Sequence, residues 1–212
     1  MTGDPRRPAA RVELLWLPVG AGSPLATWGS RGFEALSARR EARARAPLLH
    51  TALRVREAEG AAYVVEMAPA WSANVAERGV VGVGPVGLRV LGRSRLFRYE
   101  IRRWRNGSID DQRYAVGDPV RLPARAAQVR RLLELVPWCP PLTWGRDELG
   151  TGDMWNSNSL VSWLLARSGL PAADLLPPAH GRAPGWAAGL ALAHGCGSAP
   201  ARAARRATPI GP

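Results

Sequence analysis

Between residues 48 and 104 the chain presents three strand-like segments in quick succession, two of them with alternating apolar and polar residues, and a period of two specifies extended strands rather than helices. The first, "LLHTALRVRE" (48–57), alternates along its second half. The next, "EGAAYVVEMAPAW" (59–71), begins after a turn at Gly60. The third, "RSRLFRYEIRRW" (93–104), sets Leu96, Arg98 and Glu100 against Phe97, Tyr99 and Ile101 and closes at the Asn106-Gly107 turn. Strands this close in sequence are expected to lie side by side and antiparallel.

Around them the periodicity changes. Upstream, "RVELLWLPV" (11–19) reads as a buried strand ended by Pro18 and the cluster "GAGSP". The following "SRGFEALSARREARARAP" has helical spacing, with Ser30 as N-cap, Glu34 in the first turn and Pro47 at the end. Downstream, "RAAQVRRLLELV" (125–136) is an amphipathic helix stopped by Pro137. A second helix is expected over 158–168, closed by Gly169 at C′ and by Pro171. The stretch "LLPPAHGRAPGWAAGLALA" reads as a loop leading into a short helix or strand. The fold class is therefore α+β, an antiparallel sheet of four or more strands packed against helices. One domain is expected over residues 11–194, between a disordered N-terminus (1–10) and a disordered Ala/Arg/Pro-rich tail (195–212).

Composition narrows the function classes. The net charge of +12 comes from arginine alone, because the chain has no lysine. Such a bias, with abundant Ala, Gly and Pro, fits a GC-rich coding sequence, but its electrostatic consequence is salt-dependent attraction to polyanions. The arginines are spread over every segment and no nucleic-acid-binding motif accompanies them, so non-specific polyanion contact is the most they specify. No window approaches the ~18 apolar residues of a membrane span, and the first twenty residues lack the apolar run of a secretory signal. A cytoplasmic protein is expected. The two cysteines, Cys139 and Cys196, form no CxxC and have no histidine at metal spacing, so no metal is expected; nor is an organic cofactor. The pattern GxGxxG at Gly82, Gly84 and Gly87 is interrupted by Pro85, and no βαβ unit with a later acidic residue frames it. Dinucleotide binding does not follow. His180 lies in a Pro/Gly turn and His194 beside the tail, both reading as surface residues.

The most informative stretch is "MWNSNSLVSWLLARSGL", where the polar tetrad Asn156, Ser157, Asn158 and Ser159 stands at the start of an apolar helix. Such residues cap helices, a role worth about 1 kcal/mol. A helix N-terminus can also activate a nucleophile and stabilise an oxyanion through its free N–H groups.

The order strand, helix, strands with an early histidine, then a helix beginning at a polar motif resembles the circularly permuted papain-like fold of the lecithin retinol acyltransferase family. That family's motif reads Asn-Cys-Glu-His-Phe-Val. Here Asn156 matches the asparagine, Ser157 falls on the cysteine and Val161 on the valine. Leu160 stands in place of the aromatic residue, and Asn158 and Ser159 replace the glutamate and histidine. His50 in "LLHTALRV" resembles the family's strand histidine, and Glu66 in "YVVEMAP" stands where a residue that orients the imidazole would sit.

The resemblance implies acyl transfer from a small acyl-containing or peptide substrate. Ser157 would be the nucleophile, His50 the base and Glu66 the orienting acid, since a serine hydroxyl, unlike a thiol, needs such a base. Asn156, Asn158 and Ser159 would support the oxyanion or cap the helix, and Trp144, Trp155 and Trp163 would line an acyl pocket. Two other readings stand beside it: a catalytically inactive relative that binds a ligand or partner, and a basic module that contacts nucleic acid or anionic lipid.

Overall fold

The computed structural model of the protein describes residues 9–20, 34, 35, 37–39, 41–70, 78–178 and 180–195. Its centre is a six-stranded sheet in which every pairing is antiparallel. The strands are β1 (Arg11–Pro18), β2 (Leu49–Arg56), β3 (Ala62–Pro69), β4 (Val80–Pro85), β5 (Arg98–Arg105) and β6 (Val120–Leu122), ordered β4-β5-β3-β2-β1-β6. Helices α1 (Ala126–Leu135), α2 (Ser157–Arg167) and α3 (Trp186–Ala193) follow the sheet strands, and residues 34, 35 and 37–39 are also helical, within the stretch where the sequence predicts a helix. The α+β class read from the sequence is the class observed. Ser30, residues 1–8 and the tail beyond Gly195 lie outside the described residues.

Two elements differ from those expected. Residues 93–97 are not strand but short 3-10 turns, and the strand begins only at Arg98. The glycine-rich stretch that mimicked a dinucleotide loop is the edge strand β4. There Gly84 lies flat beneath the Tyr99 ring, where a Cβ would collide with the phenol. Gly82 and Gly84 serve close packing against Ile101 and Tyr99, while Gly87, just beyond the strand, takes a positive φ of +72° in open space.

The alternation assigns the two sheet faces. Val12, Leu14 and Trp16, Leu49, Leu53 and Val55, Val65 and Met67, and Tyr99 and Ile101 join the large core beneath the helices. The opposite face carries a smaller cluster of Leu15, Leu17, Ala52 and Val64, covered by Ile109 from the long β5–β6 connection. α1 is amphipathic, burying Val129, Leu132, Leu133 and Leu135. α2 is not: every residue from Ser157 to Leu165 is buried. It lies between the sheet and α3, and so needs polar residues that can satisfy backbone groups inside the core.

Candidate functional site

The tetrad at the start of α2 is a hydrogen-bonded joint. Asn156 is the N-cap, and its Oδ1 accepts from the N–H groups of Asn158 (2.8 Å) and Ser159 (3.4 Å). Its own N–H donates to Ser159 Oγ at 3.0 Å, which completes a capping box. The Ser159 hydroxyl reaches the Gly185 carbonyl at 2.8 Å, with the Met154 carbonyl at 3.1 Å as the alternative acceptor. Asn156 Nδ2 donates to the Pro184 carbonyl at 2.8 Å. One turn further on, Ser162 Oγ donates to the Trp186 carbonyl at 2.8 Å. Polar side chains along one side of α2 thus take up three successive carbonyls at the start of α3. Asp153 completes the joint, accepting from the N–H groups of Gly185 (2.7 Å) and Ala187 (3.2 Å) at the positive end of α3.

Asn158 faces the sheet. β2 and β3 pair only from Arg56↔Ala62 to Leu53↔Val65, although β2 stays paired to β1 as far as Leu49 and β3 to β5 as far as Pro69. The two central strands therefore fork. In the fork, the β2 edge is satisfied by other groups: Leu49 N–H donates to the Arg182 carbonyl (2.8 Å), and Leu49 C=O accepts from Asn158 Nδ2 (2.9 Å). Asn158 Nδ2 also donates to Pro184 C=O (2.8 Å), and its Oδ1 accepts from Thr51 Oγ1 (3.0 Å). The carboxamide does the pairing that β3 has abandoned.

Ser157 is the exception in the tetrad. It is only 2% exposed, and among the described residues its hydroxyl makes no hydrogen bond. A cleft of about 290 Å³ has Asp153, Met154 and Pro184 in its wall but not Ser157.

The expected triad is not assembled. His50 has the parity of Ala52 and Arg54, so it stands on the face opposite the helices, whereas Thr51 shares the parity of Leu49 and Leu53 and meets α2. The imidazole Nε2 instead lies 3.5 Å from Asp111 Oδ2, in the β5–β6 connection. Glu66 is also on that far face, where its Oε1 accepts from Arg102 Nη1 at 2.9 Å; Arg102 in turn binds Glu100 at 2.9 Å. Burial raises the Glu66 pKa above the ordinary carboxylate value, and the Arg102 guanidinium only partly opposes this. The carboxylate in closest contact with His50 is thus Asp111; Glu66 lies on the same face, near enough for an electrostatic interaction with the imidazole, but its Oε1 is taken by Arg102.

The tryptophans expected to line an acyl pocket pack instead. Trp155 and Trp163 are buried in the main core, and Trp144 tilts against Tyr99 with ring centroids 5.8 Å apart. Trp138, by contrast, is 75% exposed. Cys139 is a buried free thiol whose pKa is pushed far up by desolvation, which suits packing and not nucleophilic attack. His180 and His194 are exposed. Among the described residues no group of His, Cys, Asp and Glu side chains could hold a metal ion, and no helix is long and apolar enough to cross a membrane.

Sequence reasoning missed Thr51, Asp111, Arg102 and Asp153. A signal for the first was present: in "LLHTALRVRE" the apolar residues Leu49, Leu53 and Val55 share parity with Thr51 and not with His50. The other three are tertiary partners with no local signature. Comparison with known proteins finds no matching family model, no matching curated protein and no matching solved structure.

Proposed function

We propose that the chain is a non-catalytic, binding relative of the permuted papain-like arrangement, in which the helix that would present the nucleophile has become an internal strut. One observation carries this reading: His50 lies beside Asp111 on the far face of the sheet, while Ser157 is buried on the helix side with no base among the described residues in contact. A serine hydroxyl without a hydrogen-bonded base lacks the means to ionise at neutral pH. The rest of the motif supports the same conclusion, since Asn156, Asn158 and Ser159 have every side-chain group committed to backbone or to Thr51.

A second reading, serine-dependent acyl transfer, draws on two features. Ser157 is the one tetrad side chain without a hydrogen-bond partner among the described residues, and it adjoins Asn158 at the fork between β2 and β3. Catalysis would require His50 to turn from the far face through the fork and take the Ser157 proton.

Labelling with a fluorophosphonate probe separates the two. The folded wild-type protein is expected to remain unlabelled across pH 6–9 (a range of roughly three units around the free histidine pKa). Labelling that disappears in both Ser157→Ala and His50→Ala would sink the binding reading and establish an activated serine.

A further inference from the structure

On the sheet face away from the helices, Arg11, Arg54, Arg56 and Arg121 surround a cleft of about 370 Å³ whose wall also includes Glu13, Tyr63 and Asn106. Four guanidinium groups face a single carboxylate, leaving a surplus of three positive charges. Glu13 is nearly buried and holds three of the arginines: Arg54 Nη2 at 3.0 Å, Arg11 Nη1 at 3.3 Å and Arg121 Nε at 3.6 Å. The register explains the convergence, since β1 pairs Glu13 with Arg54 on one side and with Arg121 on the other. Cross-strand neighbours on one face lie about 5 Å apart, so the fold forces these charges together whether or not a ligand is present.

Glu13 cannot satisfy them. Arg54 gives only Nη2 to the carboxylate, and its Nε is buried with no partner. Arg56 is exposed and makes no ion pair among the described residues. Elsewhere among the described residues, arginines do not outnumber the acids they meet: Arg78 pairs with Asp110, Arg89 with Glu148, and Arg43 and Arg182 with Glu34 and Glu41. Guanidinium N–H groups that Glu13 does not take are left without a protein acceptor, which is unfavourable, and planar arginine forks match oxyanion geometry.

We propose that this cleft is a binding site for a small phosphorylated ligand, with Arg54, Arg56 and Arg121 holding the phosphate oxygens and Glu13 keeping the arginines in place. A bounded cleft built around one buried carboxylate favours a small anion over a nucleic-acid backbone, which would need a continuous arginine track. The volume falls at the lower end of the range of small-molecule sites. The site is separate from α2 and stands whatever the chemistry of Ser157.

Calorimetric titration of the full chain with inorganic phosphate and with pyrophosphate, at constant ionic strength set with sodium chloride, tests the proposal. Arg56→Ala/Arg121→Ala removes two exposed side chains that support no core. Arg130→Ala/Arg131→Ala removes the same charge from the exposed side of α1. The expected result is saturable pyrophosphate binding that weakens at least tenfold, about 1.4 kcal/mol, in the cleft variant and less than twofold in the α1 variant. Equal weakening in both variants would reveal general electrostatic attraction and overturn the site, as would phosphate binding no tighter than chloride. Tighter binding of a single-stranded oligonucleotide, equally sensitive to both variants, would overturn it in favour of a diffuse nucleic-acid surface.

Discussion

Replacing Asn158 with aspartate separates an internal tie from a surface cap, because the two roles give effects of opposite sign. At the second position of an exposed helix, a carboxylate interacts favourably with the helix dipole, and Asn→Asp would stabilise by about 0.3–1 kcal/mol. In this structure Asn158 is 2% exposed and its Nδ2 donates to two carbonyls, those of Leu49 and Pro184. Aspartate has the same shape but no donor. Pro184 C=O would keep its bond from Asn156 Nδ2, whereas Leu49 C=O would lose its side-chain partner. The new carboxylate would be desolvated, facing two oxygens at less than 3 Å with only the Thr51 hydroxyl in its favour. An uncompensated buried charge is unfavourable by about 3–5 kcal/mol, so after the dipole contribution a net loss of about 3 kcal/mol is expected at pH 7. The buried aspartate would have a raised pKa. Its protonated form can donate to Leu49 C=O, so the deficit should shrink as the pH falls through that value. Urea denaturation followed by tryptophan fluorescence at pH 7 and pH 4.5 measures both effects. A variant within about 0.5 kcal/mol of wild type at pH 7, the usual spread of surface substitutions, would refute the account of the fork.

Three further outcomes are expected. Gly189→Ala would gain up to about 1 kcal/mol on helix propensity alone; its Cβ, however, would collide with the Ser159 carbonyl and Ser162 Oγ across the α2–α3 contact. A net loss of roughly 1–3 kcal/mol is therefore expected, read as a lower thermal midpoint. Ser157→Ala removes no hydrogen bond seen among the described residues, and its stability should stay within about 0.5 kcal/mol of wild type, in contrast with Asn156→Ala at about 1–2 kcal/mol. Because burial raises the Glu66 pKa, the folded chain holds a proton that the unfolded chain releases near 4.5. Wild-type stability should therefore fall as pH climbs from about 4.5 through the raised value. Glu66→Gln should flatten that slope, and a parallel pH profile in the two proteins would contradict the assignment.

The α2 boundaries show how much a local signal can carry. Asn156 as cap, Gly169 at C′ with φ +73° and Pro171 beyond are placed by chain stereochemistry alone, and the helix ends where those residues require. β2 is legible from the alternation of its second half, and β3 from the turn at Gly60 that precedes it. β4 is not, since a run of Val and Gly has no informative period, and it becomes a strand because Gly82 and Gly84 let an edge segment approach Ile101 and Tyr99. That decision belongs to packing.

The candidate site divides in the same way. Strand parity already separated His50 from Thr51, but both sheet faces carry apolar residues, Leu53 and Val55 on one and Ala52 on the other. Residue type alone therefore did not say which face α2 would cover. Helical and strand periods, caps and turns are encoded over a few residues and can be read directly. The choice of face, the forking of β2 from β3, the commitment of Glu66 to Arg102 and the gathering of four arginines around Glu13 depend on residues far apart in the chain. Those contacts are set by close packing and by the need to satisfy buried polar groups, conditions that exist only once the sheet and helices have come together.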